Sequence, residues 1–382
     1  MVQNALRFGV LGPLQMIADG TELPLGPAKQ RAVLAMLLIN RNRTVSIDAL
    51  IDAAWQECPP PEARGSLHAH VSRLRRLVSD AGVDPGTVLV RAQPGYRLNV
   101  PDEACDLGRF ATAHRAGIEA AAAGRFAQAG SHLSAALAEW RGPVLDDLRD
   151  FRFVDAFAAA LAEDRLVTLT AWAESEIACG RAHSIIGELE ALVTEHPYRE
   201  PLWAQLIAGY YLADRQHDAL DAYARLRTVL ADDLGIDPGP TLRNLHQRVL
   251  NQEPLDVKHA ARATAKRAAG TLQWRTEPGR ERAVAHLRDS AGRRYRLRGT
   301  ATKVGRLPDN DIVLDDDTVS RFHAVIVDTG NSFVITDLQS ANGVDLGGER
   351  IRGSATLADG DRICICGHDF TFEFGVRADG GA

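Results

Sequence analysis

The chain has 382 residues, of which 45% are hydrophobic and 25% charged, and its formal net charge at pH 7 is −6. These proportions are typical of globular proteins, and the length allows about two or three domains, each with its own core. No apolar run approaches the roughly 18 residues of a membrane span, and no charged segment leads into an apolar stretch near Met1. The sequence therefore predicts neither membrane insertion nor a signal peptide.

The charge is distributed unevenly along the chain. Residues 1–101 have 11 Lys and Arg against 8 Asp and Glu, whereas residues 102–253 have 14 against 24. Any contact with nucleic acid is therefore expected in the first segment. The five cysteines are odd in number and scattered, which favours a reduced, cytoplasmic location.

The beginning of the chain predicts a small sheet followed by two helices. An alternating stretch at residues 6–17 precedes the turn signal Asp19-Gly20, which is typical of antiparallel strands. Proline is expected to open a helix over residues 27–40. Ser46 is expected to cap a second helix over residues 46–55, whose apolar residues recur at helical spacing.

A third helix is predicted to begin near Glu62 and to have two different faces. One face is an apolar stripe formed by Leu67, Val71, Leu74 and Val78. The opposite face has cations and short hydroxyls without a carboxylate, namely His68, Ser72, Arg75, Arg76 and Ser79. Such a face suits a helix in the DNA major groove, where Arg can meet guanine edges or phosphates. It equally suits an amphipathic helix with a solvated basic face, and the helix alone leaves both interpretations open.

Four short blocks follow one another within residues 1–101. They are Phe8-Gly9-Val10-Leu11-Gly12-Pro13-Leu14, Lys29-Gln30-Arg31, Val71-Ser72-Arg73-Leu74-Arg75-Arg76 and Pro94-Gly95-Tyr96-Arg97-Leu98. Together they resemble the DNA-binding domain of the Streptomyces antibiotic regulatory protein (SARP) family. The resemblance implies a winged helix-turn-helix domain (α+β) over residues 1–101, with the basic helix as recognition helix and a hairpin at residues 88–98. The candidate DNA-binding residues are His68, Ser72, Arg73, Arg75, Arg76, Arg91 and Arg97.

Residues 102–251 are rich in Ala and Leu and predict an all-α domain. Three similar helix-to-helix turns begin at Gly124, Gly180 and Asp214, and the last two are separated by the tetratricopeptide (TPR) period. The ending Leu234-Gly235-Ile236-Asp237-Pro238-Gly239-Pro240 resembles the close of the bacterial transcriptional activation domain of SARP proteins. The resemblance implies a TPR-like protein-binding surface, with RNA polymerase as a candidate partner. Asp146, Asp147 and Asp150 suit either a partner-facing patch or a solvated loop.

The remainder of the chain predicts a linker and a second β-rich domain. Residues 252–283 are polar, Ala-rich and basic, and are interpreted as a linker that is partly helical at most. Within residues 284–382, short apolar strands separated by Asp, Gly and Asn turns favour an all-β sandwich. The predicted strands are at residues 295–297, 312–314, 324–327, 333–335 and 363–365, with Phe370, Phe372 and Phe374 on one face of a last strand.

Three loop clusters in this sandwich combine a guanidinium, a hydroxyl and an amide. They are Gly305-Arg306, Ser320-Arg321-Phe322-His323 and Ser340-Ala341-Asn342-Gly343. Their order and spacing resemble the forkhead-associated (FHA) domain, which binds phosphothreonine. The resemblance implies phosphothreonine-binding roles for Arg306, Ser320, Arg321 and Asn342, the last toward the peptide main chain. It also implies that His323, with Gly305 and Gly343, braces the loops.

The resemblances together imply a multidomain DNA-binding transcriptional regulator that couples Ser/Thr kinase signalling to promoter activity. Expected partners are double-stranded promoter DNA, a phosphorylated Ser/Thr protein kinase and RNA polymerase. Because the DNA-binding segment is only weakly basic, either a homo-oligomer on DNA or a partner that adds a second DNA contact is also expected. Similarity to family members with a C-terminal FHA domain implies cell-wall arabinosyltransferase genes as candidate targets.

The alternative function is a phosphothreonine-binding kinase adaptor or decoy that does not regulate promoters. An enzyme is not predicted, because no phosphate-cradling Gly-rich loop, zinc-binding His pair or nucleophile with its base is recognisable. No cofactor is expected. No metal is expected either, since Cys364-x-Cys366 has no second ligand pair.

Overall fold

The computed structural model describes residues 6–56, 58–273, 284–297, 301–308, 310–329, 332–351 and 353–375. The chain divides into two compact units. The first consists of Met1–Thr112, Ala138–Arg165 and Thr271–Ala382, and the second of Ala113–Leu137 and Leu166–Gly270. In the part of the chain that is described, no helix is long and apolar enough to cross a membrane.

The N-terminal part of the first unit has the winged helix-turn-helix layout expected from the sequence. Its helices are α1 (Ala28–Ile39), α2 (Ile47–Trp55), α3 (Ala63–Asp80) and the short α4 (Pro85–Val88). Its strands are β1 (Arg7–Gly9), β2 (Gln15–Ala18), β3 (Thr21–Glu22), β4 (Thr44–Ser46), β5 (Leu89–Ala92) and β6 (Gly95–Leu98). The first three strands form one antiparallel sheet in the order β1-β2-β3, and the wing sheet has the order β4-β6-β5. Strand β4 and helix α4 are not predicted from the sequence.

Local chemistry explains why these helices and strands form where they do. The Oγ of Ser46 accepts a hydrogen bond from the backbone N–H of Ala49 at 3.1 Å, which caps α2 as predicted. The four residues of the apolar stripe of α3 are all buried, as expected. A Cβ atom at Gly95 would collide with the carbonyl oxygen of Val45, so the close pairing of β4 with β6 requires glycine there.

The segment after the wing consists of helices. They are α5 (Asp106–Ala122), α6 (Phe126–Leu137), α7 (Arg152–Ala178), α8 (Ala182–Glu195), α9 (Glu200–Leu212), α10 (Gln216–Leu234) and α11 (Pro240–Leu250). Gly124, Gly180 and Asp214, at the three predicted turns, all have a positive φ, between 60° and 78°. In the second unit, helices α8 to α11 enclose a core of Leu189, Leu206, Ile207 and Leu226. The predicted TPR-like helical pattern is therefore present.

A continuous 17-residue helix, α12 (Val257–Gln273), lies in the segment interpreted as a linker. The described residues of the segment are thus partly helical, and residues 274–283 lie outside the described residues. Ala261, Ala265 and Ala269 are buried at four-residue spacing along one face of α12. A helix face made of Ala can pack closely without the large apolar side chains that usually reveal a buried face in the sequence.

The C-terminal part of the first unit is a β-sandwich, as predicted. One sheet has the order β10-β9-β11-β12-β15 and the other β14-β13-β16-β17-β7-β8. The strands are β7 (Val284–Asp289), β8 (Arg294–Arg296), β9 (Ala301–Gly305), β10 (Ile312–Val313), β11 (Ala324–Asp328), β12 (Phe333–Asp337), β13 (Val344–Leu346), β14 (Glu349–Arg350), β15 (Ser354–Leu357), β16 (Arg362–Ile365) and β17 (His368–Gly375). Phe370, Phe372 and Phe374 are all buried between the sheets. Strands β7, β9, β13, β14 and β15 were missed, because polar residues interrupt their apolar pattern.

The segment 140–147 packs against the loop between β1 and β2. The backbone N–H of Arg141 donates to Leu11 O at 2.8 Å. Asp147 accepts a hydrogen bond from the N–H of Leu14 at 2.7 Å and pairs with Arg31. Asp147 is therefore part of an internal contact of the first unit. It belongs neither to a partner-facing patch nor to a solvated loop, the two alternatives that the sequence left open.

Within the first unit, the sandwich also contacts the wing sheet. Arg43, just before β4, lies 3.1 Å from the Asp328 carboxylate at the end of β11. Strand β11 begins at Ala324, directly after His323, so its two ends are about 13 Å apart at the usual rise per residue. The contact with the wing sheet is therefore at the end of β11 away from the FHA loops.

Candidate functional site

The three loop clusters predicted from the sequence meet at one end of the sandwich. Arg306 follows the last residue of β9, and its backbone N–H donates to Ser320 O at 3.0 Å. The Oγ of Ser320 in turn accepts a hydrogen bond from the N–H of Ala341 at 3.1 Å. Residues separated by up to 35 positions in sequence are thus joined by one backbone bond and one bond to the Ser320 hydroxyl.

His323 lies beneath these loops and is completely buried. Its Nδ1 accepts the N–H of Ser320 at 3.1 Å, and its Nε2 lies 2.9 Å from Gly343 O. Since a carbonyl oxygen only accepts, Nε2 must bear the proton, and both ring nitrogens are satisfied in one neutral tautomer. His323 therefore connects the second loop to the third.

The glycines at this end of the sandwich allow close approach of the loops. A Cβ atom at Gly305 would lie 2.5 Å from Arg321 O, and one at Gly343, where φ is +72°, would collide with Arg350. Buried Asn310 strengthens the same region, because its Nδ2 donates to Leu307 O at 2.8 Å and to Arg321 O at 2.9 Å. No role for Asn310 is predicted from the sequence.

The exposed groups of the loops are those suited to an anionic ligand. The Arg306 guanidinium is 38% exposed, and its Nη1 lies 3.2 Å from the carboxylate of Asp317. The Nδ2 of Asn342 donates to Thr318 O at 2.8 Å, and Arg321 projects from the surface. Guanidinium and hydroxyl donors form strong, charge-assisted hydrogen bonds to phosphate oxygens. The loops thus bring a guanidinium, a hydroxyl and an amide to one end of the sandwich, and these are groups that can bind a phosphate.

The loop that contains Asp316 and Thr318 completes the site and was not identified from the sequence. Asp316 accepts hydrogen bonds from the N–H and the Oγ1 of Thr318 at 2.8 and 2.6 Å, and lies 3.1 Å from His368. These donors, chiefly the Thr318 hydroxyl, hold the pKa of Asp316 below its ordinary value. The acidic run Asp315-Asp316-Asp317 was the signal that could have revealed this loop.

The structure divides the seven candidate DNA-binding residues into two groups. Five are exposed, namely His68, Ser72, Arg73, Arg76 and Arg91. The other two, Arg75 and Arg97, are partly buried and have partners within the domain. Arg75 donates from Nε and Nη2 to Leu89 O at 3.1 and 2.9 Å and lies 5.7 Å from the ring centroid of Tyr96. Arg97 donates to Asn99 Oδ1 at 2.9 Å.

The contact of Arg75 with the wing was unexpected from the helical pattern. Its helical position is on the basic face, yet its guanidinium is occupied by the strand β5 carbonyl and the Tyr96 ring. His68 also packs edge-on to Tyr96, with ring centroids 6.3 Å apart. Part of the predicted DNA-reading face therefore fixes α3 to the wing, and Ser72, Arg73 and Arg76 remain open to solvent.

Comparison with known families identifies three regions of the chain. Residues 20–98 match the family "Transcriptional regulatory protein, C terminal", residues 105–250 match the "Bacterial transcriptional activator domain", and residues 302–366 match the "FHA domain".

Similar proteins cover the whole chain. It is 62% identical over 381 residues to the transcriptional regulatory protein EmbR of Mycobacterium tuberculosis, which spans all of this chain and 98% of that protein. It is 52% identical to MoaR1 of the same species over 66% of this chain and 82% of that protein. A solved structure of M. tuberculosis EmbR "in complex with low affinity phosphopeptide" has a TM-score of 0.95 and 62% identity, covering 98% of this chain and 100% of that chain.

Proposed function

This chain belongs to the SARP family of transcriptional regulators, among the members with a C-terminal FHA domain, and we propose that its FHA loops recognise phosphothreonine on a partner protein to control promoter binding. The observation that carries this proposal is the convergence of Arg306, Ser320 and Asn342 at one end of the sandwich. The chain is a regulator rather than an enzyme, as its relatives are named.

The chemistry of the site favours a phosphate over other acidic groups. A phosphothreonine has about −1.5 to −2 charges at pH 7 and three acceptor oxygens, which neither threonine nor a carboxylate supplies. Arg306 offers a delocalised charge and Ser320 a hydroxyl, and Arg321 adds a second cation nearby. In this proposal the exposed amide of Asn342 bonds the peptide main chain. Gly305, His323 and Gly343 keep these groups in place.

The source of the phosphothreonine is a phosphorylated Ser/Thr kinase in this proposal. The proposal has three further parts. Residues 102–251 contact RNA polymerase, the chain forms a homo-oligomer on DNA, and its targets are cell-wall arabinosyltransferase genes. Because promoter DNA is the target of residues 1–101, the site of action is the cytoplasm. The weak positive charge of residues 1–101 supports a second DNA contact, which one copy of the domain does not supply.

Calorimetry on the full chain tests the phosphate site. The titrant is a kinase activation-loop peptide with one phosphothreonine, compared with its unphosphorylated counterpart. Arg306→Ala should reduce affinity for the phosphopeptide at least tenfold, because a charge-assisted contact is lost. Arg362→Ala, at the start of β16, removes an exposed Arg elsewhere in the sandwich and serves as the matched control. Equal binding by wild type and Arg306→Ala would exclude the assigned role.

The adaptor or decoy function remains the alternative, and a gel-shift measurement separates it from promoter regulation. In the favoured function, wild type and Arg306→Ala both shift promoter DNA to the same extent without phosphopeptide, since Arg306 is outside the winged domain. A chain that binds phosphopeptide but shifts promoter and random DNA equally would support the adaptor instead.

A further inference from the structure

Asp317 makes a contact that the fold does not require. Its carboxylate lies 3.2 Å from Arg306 Nη1, although its side chain is 99% exposed. A side chain so exposed contributes no packing. The Arg306 side chain is only 38% exposed, its backbone is bonded to Ser320, and its Nε is buried without a hydrogen-bond partner among the described residues.

Other residues determine the conformation of the loop around Asp317. Asp316 binds the N–H and hydroxyl of Thr318 and approaches His368, and Asn342 binds Thr318 O from the neighbouring loop. The Asp317 carboxylate accepts none of these bonds. Removing its charge should therefore leave the loop in place and change only the surroundings of Arg306.

We propose that Asp317 is an internal competitor that occupies Arg306 until a phosphothreonine displaces it. The inference rests on the proposed function and identifies a residue that sets the affinity of that same site. A phosphate on Arg306 would lie beside the Asp317 carboxylate, and like charges at such distances repel. Binding must therefore break the Arg306–Asp317 pair and move the carboxylate into solvent, which its exposure allows.

The competition lowers the affinity of any anion that binds Arg306. The loss of affinity is greatest for a dianion if the Asp317 carboxylate stays close to it. Exposed ion pairs have small free energies and are screened by salt, so the effect is moderate and depends on ionic strength. We expect Asp317→Asn to tighten phosphopeptide binding about two- to fivefold at low salt. The gain should diminish at high salt.

The test is calorimetry on the full chain with the phosphothreonine peptide and its unphosphorylated counterpart. Asp315→Asn is the matched control, because Asp315 is an exposed Asp of the same loop and the same charge is removed. The expected result is a tighter Kd for Asp317→Asn and little change for Asp315→Asn. Thermal melting of both variants should match wild type.

Two results would overturn the inference. Equal gains in both variants would mean that only the net charge of the loop matters. Weaker binding by Asp317→Asn would mean that Asp317 orients Arg306 for the ligand instead of competing with it. Failure of the proposed function gives a different result, in which wild type binds the phosphorylated and unphosphorylated peptides alike.

Discussion

Arg75 and Arg76 are neighbours on the basic face of α3 but meet different surroundings. The guanidinium of Arg75 is bound to Leu89 O and lies over Tyr96, whereas Arg76 is exposed. A cation that already has a protein partner contributes less to a phosphate contact than one that is free to reach the DNA. The two residues should therefore differ in how their loss affects DNA binding.

Arg76→Ala should flatten the salt dependence of promoter binding by about 0.9 in the log–log slope, the value for one lost phosphate contact. Arg75→Ala should leave the slope nearly unchanged and lower the melting temperature of the domain, because α3 loses its bond to the wing. Fluorescence anisotropy over a salt series, with thermal melting alongside, measures both. A flattened slope for Arg75→Ala would place its guanidinium on the DNA.

At the scale of the elements, one buried polar pair joins two helices within the second unit. His114 on α5 lies 2.9 Å from the Thr168 hydroxyl on α7, and both side chains are buried. Burial, with a smaller contribution from Arg115, lowers the pKa of His114 from 6.5 to about 4. The histidine is therefore neutral in the folded protein at neutral pH.

This lowered pKa makes the stability of the α5–α7 contact dependent on pH. The unfolded chain takes up the proton first, so stability is complete above pH 6.5 and is lost as pH falls toward 4. Between pH 7.5 and 4, wild type should lose about 3 kcal/mol more unfolding free energy than His114→Gln. Urea unfolding at several pH values measures the difference. His217→Gln, an exposed histidine on α10, should retain the pH dependence of wild type.

At the scale of the whole first unit, one buried carboxylate joins distant parts of the chain. Asp106, whose side chain is 3% exposed, accepts the backbone N–H of Val10 and Leu11 at 2.9 Å and lies 3.2 Å from Arg141. The N–H of Leu107 adds a fourth donor at 2.7 Å. This carboxylate therefore holds the β1–β2 loop and segment 140–147 against the start of α5.

Asp106→Asn should lower the unfolding free energy of the first unit by about 2–4 kcal/mol, because an amide group faces donors that need an acceptor. Asp102→Asn is the control, since Asp102 is a largely exposed partner of Arg41 and should cost less than about 1 kcal/mol. Chemical denaturation of the full chain measures both. Equal small losses would show that the backbone donors find other partners.

Much of the fold could be predicted because its signals are local. The α3 stripe, the Ser46 cap and the three helix turns depend on residues a few positions apart, and short-range periodicity reveals them. The FHA loop clusters were recognisable as motifs for the same reason. Strands such as β7 and β13 were missed because polar residues interrupt their apolar patterns, although each pairs with the next strand along the chain.

The order of the three domains, the two faces of the basic helix and the loop residues that meet at one end of the sandwich could all be predicted from the amino-acid sequence. The contacts of Arg75 with the wing, of Asp147 with Arg31 and of Asp317 with Arg306 depend on the folded chain. So does the packing of the Ala-faced helix α12. The reason is that the spacing of residue types along the chain indicates on which face of a helix or strand a side chain lies. Which group that side chain contacts depends on how distant parts of the chain pack together.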